Sequence, residues 1–279
     1  MNTYVRANVT PRLVSKNKIE NEWLLANKIA SGFDRAANQY DEFGLIQKQV
    51  SQHLTRLIAC QSVLSGIVLD IGCGTGALAS LNCNPNTSWI NLDLSQQMLK
   101  VAKTKLENNG EQNFVQANAD NLPLLDSSVD NIVSSMALQW CKEPAKTLSE
   151  LARVLKPNGD IWLAIMVESS FSNLHMAWEN AGYPSKINTF PDEIQWTSLL
   201  PQSLYLTEKQ SKVFRFIGQD FKALLSSITA VGASTSLQDK KPLQKTEYLK
   251  LKQAYSALYA DHYYLDYHVV FARIKKQGC

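Results

Sequence analysis

Apolar positions recur along this chain at two spacings, one helical and one extended. Between residues 22 and 43, Leu25, Ile29, Phe33, Ala37 and Tyr40 stand three or four apart, which puts them on one stripe of an amphipathic helix. A helix is predicted over 22–43. The run 66–71, GIVLDI, is continuous, aliphatic and closed by a glycine-rich turn, the pattern of a strand covered on both faces. Alternation then sets in. Residues 89–92 read as a strand, and Ser95 as the N-cap of a helix striped by Met98, Leu99, Ala102 and Leu106. Strands follow at 113–116 and 130–134. A helix over 143–155 is striped by Leu148, Leu151, Ala152 and Leu155, and Pro157-Asn158-Gly159 is expected to stop it and reverse the chain before a strand at 160–167. Strands alternating with helices through five units predict a doubly wound α/β fold, with a mostly parallel sheet and helices on both faces.

Beyond Glu168 the rhythm changes. A helix is predicted over 171–182, then an irregular stretch with Pro184, Pro191 and Pro201. Short β-like runs at 204–208 and 212–217, helices at 219–230 and 244–260 and a final strand at 267–274 complete the pattern. Additions of this kind commonly cover a ligand crevice, so helical lid elements are expected over about 171–200 and 219–260. They belong to one domain, 22–279, behind a basic leader, 1–21. Composition agrees: among 279 residues, 45% are hydrophobic and 19% charged, the proportions of a globular chain. The longest strongly apolar stretch, 161–167, is far too short to span a bilayer. The first residues lack the apolar run of a secretory signal, so the expected location is the cytoplasm. Cys60, Cys73, Cys83, Cys141 and Cys279 form no CxxC pair, which argues against a disulfide framework or a zinc site. A net charge of +3 is too mild to imply nucleic-acid binding.

Candidate chemistry sits in the first strand-to-helix turn. In Asp70-Ile71-Gly72-Cys73-Gly74-Thr75-Gly76, the glycines permit a tight turn and close backbone approach to a ligand, with N-H groups of the following helix expected to face it. Asp93 ends the second strand nineteen residues past Gly74, the distance at which an acidic side chain meets ribose hydroxyls. Together they define a nucleoside site. Gly72-x-Gly74-x-x-Ala77 also satisfies a dinucleotide motif, but a third glycine at Gly76 and a very short following helix favour S-adenosylmethionine.

VLDIGCGTG, LDLSQQML, NLPLLDSSVD and LARVLKPNG, in that order over 66–167, resemble the class I S-adenosylmethionine-dependent methyltransferases. FDRAANQYDEFGLIQKQV, ALQWC, ITAVGAST and the terminal LDYHVVFARI carry a closer resemblance, to the malonyl-acyl-carrier-protein O-methyltransferases of biotin synthesis. The resemblance implies a seven-stranded, Rossmann-like methyltransferase sheet. It implies a cofactor site of Asp70, Gly72, Cys73, Gly74 and Gly76, with Asp93 on the ribose and Leu94 on one adenine face. Asn118 and Ala119 would meet the adenine amine. Asn118 stands where relatives carry an acidic residue, with Asp120 in a glutamate place, and Ser135 stands where they often carry Asn.

Methylating a carboxylate needs no general base, because the group is ionised at neutral pH. Catalytic residues should therefore be few. Tyr40 resembles the family's active-site tyrosine, though it also lies on the apolar helical stripe. Phe190, Trp140, Tyr267 and His268 are the candidate substrate contacts; Trp140 reads as an aromatic wall for cofactor or acyl chain or as plain core, and a structural pairing is the competing reading for His268. Arg153 reads as a packing or pairing residue. A bidentate arginine suits a carboxylate, and Arg35 and Arg273 are the candidates. An acyl carrier protein is acidic, and Lys240, Lys241, Lys245, Lys250 and Lys252 form a basic cluster that could receive it, or simply a solvated face.

Overall fold

The computed structural model describes residues 16–81, 84, 86–233 and 243–278, with side chains from residue 24 onward. Most of the expected leader, Cys83, Cys279, Lys240, Lys241 and the end of ITAVGAST lie outside the described residues. Among the described residues no helix is long and apolar enough to cross a membrane.

The predicted helix over 22–43 is broken into pieces. Helix α1 (Lys16–Ala36) begins inside the expected leader, a 3-10 turn follows (Ala37–Gln39), and a single-turn helix α2 (Tyr40–Phe43) presents Tyr40. Gly44 ends α2, where any Cβ would lie 2.6 Å from the Tyr40 carbonyl oxygen. Helix α3 (Leu45–Gln61) lies where the sequence pattern predicts no element. Its buried stripe is Ile46, Val50, Leu54 and Ile58.

The alternating core then follows the prediction closely: β1 (Gly66–Ile71), α4 (Ala77–Leu81), β2 (Thr87–Asp93), α5 (Gln96–Lys105), β3 (Gln112–Gln116), β4 (Val129–Ser135), a 3-10 turn (Leu138–Trp140), α6 (Pro144–Val154) and β5 (Leu155–Met166). Ser95 caps α5, its hydroxyl accepting from the Met98 N-H at 3.1 Å. Pro157-Asn158-Gly159 does not reverse the chain. It forms a bulge inside β5, because pairing with β4 jumps from Val129 opposite Leu155 to Asn131 opposite Asp160. Asn158 takes the left-handed backbone of this bulge, φ 65°.

The C-terminal part comprises α7 (Ser172–Asn180), α8 (Glu193–Ser198), β6 (Leu204–Ile217), α9 (Phe221–Thr229), α10 (Lys245–Tyr259) and β7 (Tyr264–Lys276). The two short runs expected near 204–217 are one strand. Its polar middle, Lys209-Gln210-Ser211, lies exposed on an edge strand, where charge discourages pairing with other chains. Seven strands form one sheet in the order β3-β2-β1-β4-β5-β7-β6; β7 alone runs antiparallel to both its neighbours.

Both sheet faces are covered, and β5 shows how. Trp162, Ala164 and Met166 join a core with α3, α7, α9 and α10, whereas Ile161, Leu163 and Ile165 join a second core with α6 and α8. Trp196 of α8 packs in that second core. The expected lid over 171–200 therefore divides: α7 and Phe190 stay with the crevice face and α8 covers the other.

Candidate active site

The carboxyl ends of β1, β2 and β4 meet at the glycine loop. Gly72 has φ +66°, and a Cβ there would fall 2.2 Å from Ala137 Cβ, so the turn after β4 packs directly on the loop. Gly74, at φ +54°, faces open space, with no atom within 4 Å of its would-be Cβ. This is a cradle that a ligand backbone or sugar can enter. The N-H groups of the loop itself are engaged within the protein. Gly72 and Cys73 donate to the Leu92 carbonyl, at 2.8 and 3.0 Å, and Gly76 donates to the Cys73 carbonyl at 2.9 Å.

Asp93 organises the next layer. Its Oδ2 accepts from the Gly74 N-H at 2.9 Å and its Oδ1 from the Ser95 N-H at 2.8 Å. Burial pushes its pKa up to about 6, against the pull of N-H groups from Ser95, Gly74 and Leu94 and with the help of the Asp34 charge. Asp70 is fully buried and neither carboxyl oxygen has a hydrogen-bond partner among the described residues. Burial, and then the Asp93 charge, hold its pKa well above the usual carboxylate range. Burial also raises the Cys73 thiol, which leaves that side chain neutral packing. Ser135 shares a 3.1 Å contact with the hydroxyl of buried Ser51 on α3.

Three cavities converge here. One, of about 130 Å³, is lined by Gly72, Gly74, Asp93, Leu94, Asn118, Ala119 and Ser135. A second, of about 360 Å³, lies on the α3 side of the loop against Asp70, Cys73 and Thr75. The largest, about 870 Å³, has mainly apolar walls that include Trp140, Phe171, Phe190 and Tyr267. Tyr40 lines all three. Burial, then Asp93 and Asp41, raise its phenol far above the ordinary value, so the hydroxyl keeps its proton and can donate. Phe33, Met136 and Trp140 separate the first cavity from the largest and line both. Phe33 meets Trp140 edge-on at 5.5 Å, and Phe171 meets Tyr267 edge-on at 4.7 Å.

The sequence-predicted residues are thus gathered, with exceptions. Asn118 sits beside the first cavity with its Oδ1 already accepting from the Asp120 N-H at 3.0 Å. His268 lines none of the three cavities; one residue from Tyr267 on β7, it falls on the alternate face. Its backbone N-H and carbonyl exchange hydrogen bonds with the Ser170 hydroxyl. Arg273 is removed as a carboxylate grip, since it is committed to Asp160, with Nε to Oδ1 at 2.9 Å, and stacks on Trp162. Arg35 does line the largest cavity. Arg153 pairs with Glu150 and Asp126, both at 2.8 Å, as a structural clasp. The sequence reading missed Phe33, Met136 and Phe171 as cavity walls. Met136 and Phe171 have left-handed backbones, φ 54° and 63°, which no periodicity reveals.

A mostly parallel sheet of this order, with a glycine loop after β1 and a buried acid ending β2, defines a class I S-adenosylmethionine-dependent methyltransferase. The family model described as a methyltransferase domain matches residues 69–163. Over 250 residues the chain is 31% identical to a malonyl-[acyl-carrier protein] O-methyltransferase of Hamiltonella defensa, covering 88% of this chain and 93% of that one. This chain belongs to the malonyl-[acyl-carrier protein] O-methyltransferase family. It is also 28% identical, over 78% of its length, to the biotin biosynthesis bifunctional protein BioHC of Cellvibrio japonicus, of which it spans 44%. In fold it is similar to the YcgJ protein of Bacillus subtilis, with a TM-score of 0.60 at 18% identity, covering 82% of this chain and 100% of that one.

Proposed function

We propose that this enzyme transfers the methyl group of S-adenosylmethionine to the free carboxylate of malonyl-acyl carrier protein, giving the malonyl methyl ester. The observation that carries the reading is Tyr40, held between the cavities at the glycine loop and a large apolar one. The cofactor supplies a methyl group on a positively charged sulfur. The residues present fit it: Gly74 leaves an open cradle, Asp93 offers a buried carboxylate, and the orphaned acceptors of Asp70 lie across the loop. In this reading Asp93 accepts from the ribose hydroxyls and Leu94 covers one adenine face. Asn118 and Ala119 meet the adenine edge, and Gly72, Gly76 and the Ser135 backbone shape the remainder.

The acceptor needs no base, because a carboxylate is ionised at neutral pH. What the protein supplies is position and dryness. The protonated Tyr40 hydroxyl donates to one carboxylate oxygen and leaves the other aimed at the methyl group. Trp140, Phe190 and Tyr267 wall the acyl end and exclude water, and Arg35 stands at the cavity as the candidate cation. Esterification removes the charge from the acyl terminus, which suits chain extension toward a biotin precursor, as the name of the bifunctional relative suggests. A carrier-borne substrate supports reading the reaction as cytoplasmic.

Methyl transfer from labelled S-adenosylmethionine to malonyl-acyl carrier protein tests the reading, with malonyl-CoA and acetyl-acyl carrier protein alongside. Label should enter the malonyl carrier, not the acetyl carrier, and leave on mild base. Tyr40→Phe should lower kcat roughly 10- to 100-fold while S-adenosylhomocysteine affinity changes less than about twofold. Cofactor binding without transfer to any malonyl thioester would defeat the proposal in favour of a silent binding module or another acceptor.

For the carrier itself we propose docking on the lysine-bearing end of the late helices. Lys245, Lys250 and Lys252 lie on α10, and Lys250 Nζ sits 5.4 Å from the Tyr183 ring centre. KM for the carrier substrate should rise steeply between low and physiological salt, and less so once these three lysines are alanine. A KM indifferent to salt would remove the docking proposal.

A further inference from the structure

The segment that delivers Tyr40 is tied down at two points, and both ties end beside the cofactor loops. Asp34, in the last turn of α1, accepts from the Ser95 hydroxyl at 2.6 Å and from the Gln97 N-H at 3.1 Å. Asp41, adjacent to Tyr40, accepts from the Thr75 hydroxyl at 2.6 Å and pairs with Lys105 Nζ at 2.8 Å. Thr75 lies between Gly74 and Gly76. Ser95 is the residue whose N-H holds Asp93.

Both anchoring hydroxyls are buried, Thr75 at 2% and Ser95 at 0% exposure. If the 34–41 segment swung away, each hydroxyl would lose the charged acceptor that it now holds at 2.6 Å, a bond stronger than one between neutral groups. The ion pair with Lys105 is half in solvent, with the Asp41 side chain 54% exposed, and adds little by itself. The neutral-to-charged bonds are therefore the ties that fix the segment. Just before Asp34, Phe33 rests on Trp140, and Gly232 backs the chain so closely that a Cβ there would lie 3.0 Å from the Gly32 carbonyl oxygen.

We propose that Asp34 and Asp41 are positioning residues that hold the Tyr40 hydroxyl at the acceptor carboxylate, by latching the N-terminal segment to the two loops that carry the cofactor. The inference rests on the reading of Tyr40 given above. Asp41→Ala and Thr75→Val remove one bond from its two ends, and Asp34→Ala removes the other tie.

The test is a set of kcat measurements with malonyl-acyl carrier protein, each paired with a melting curve. Each of the three variants should lose about tenfold in kcat, since small misplacements near a reacting centre are costly. Asp41→Ala and Thr75→Val combined should be no worse than either alone. Asp41→Asn keeps an acceptor for Thr75 and should retain most of the rate. In a Tyr40→Phe background, Asp41→Ala should cost less than about twofold. An undiminished cost in that background, an Asp41→Asn as poor as Asp41→Ala, or single variants at the parent rate would each overturn the proposal. A Tyr40→Phe enzyme at the parent rate would overturn it through the reading beneath it, and is told apart by appearing in the single variant.

Discussion

Gly72→Ala should weaken binding of S-adenosylhomocysteine by at least about a hundredfold, a loss of roughly 2.7 kcal/mol. Two effects add. The backbone there has φ +66°, which a β-carbon makes unfavourable, and that carbon would stand 2.2 Å from Ala137 Cβ. Something must move, and the neighbour is the turn after β4. That turn carries Met136 and Trp140, which wall the first and largest cavities, so the displacement reaches both. Gly74→Ala is the informative contrast. Its Cβ would meet no protein atom within 4 Å, so apart from left-handed strain the fold should tolerate it. A loss of affinity there reports on crowding of the bound cofactor. Titration calorimetry with a melting curve for each variant separates the cases: Gly72→Ala should fall in both, and Gly74→Ala mainly in affinity. Parent-like affinity in Gly72→Ala would contradict the tight contact on which this site rests.

What the sequence displays best is what repeats. Five strand and helix units between residues 66 and 166 follow from apolar runs, from Ser95 as a cap and from glycine punctuation, because local pattern and buried sheet agree there. Asp93 and the loop glycines are legible for a related reason: their spacing is a consequence of one strand-turn-helix unit. Elements that depend on distant partners are not legible. Helix α3 has only a modest stripe, and its buried face is settled by packing on β5 and β6. The edge strand β6 looks like two strands because solvent permits Lys209-Gln210-Ser211 in its middle. The bulge at Pro157-Asn158-Gly159 reads as a reversal until pairing with β4 shows that the strand resumes. The same division holds within the site. Tyr40 and Trp140 could be picked out by resemblance, but Asp34 and Asp41 acquire meaning only when Ser95 and Thr75, some 61 and 34 residues away, are brought to them. His268 and Arg273 fail for the complementary reason. Strand alternation turns the first to the other face, and Asp160 satisfies the second.

Replacing Asp93 with alanine should likewise cost about a hundredfold or more in cofactor affinity, by removing the ribose acceptor and orphaning the N-H groups of Gly74 and Ser95. The pH dependence is more specific to this carboxylate. Its pKa of about 6 means that it gains a proton on mild acidification. If only the ionised form accepts both ribose hydroxyls, affinity for S-adenosylhomocysteine should fall about tenfold between pH 7 and pH 5. Stability of the ligand-free enzyme should move the other way. The folded state holds this proton more tightly than the unfolded chain, where the carboxyl has its ordinary value of 3.8. The contribution therefore favours the fold below about pH 4 and is lost as pH rises through about 6. Asp93→Asn carries no titrating group. It should bind weakly at every pH, with a flat profile, and should lack this part of the stability change, together with the part of the Asp70 shift that the Asp93 charge causes. Calorimetry and melting curves from pH 5 to 8 on the two proteins decide the matter. Equal pH slopes for the parent and Asp93→Asn would show that the acid ending β2 is not the group that reads the ribose.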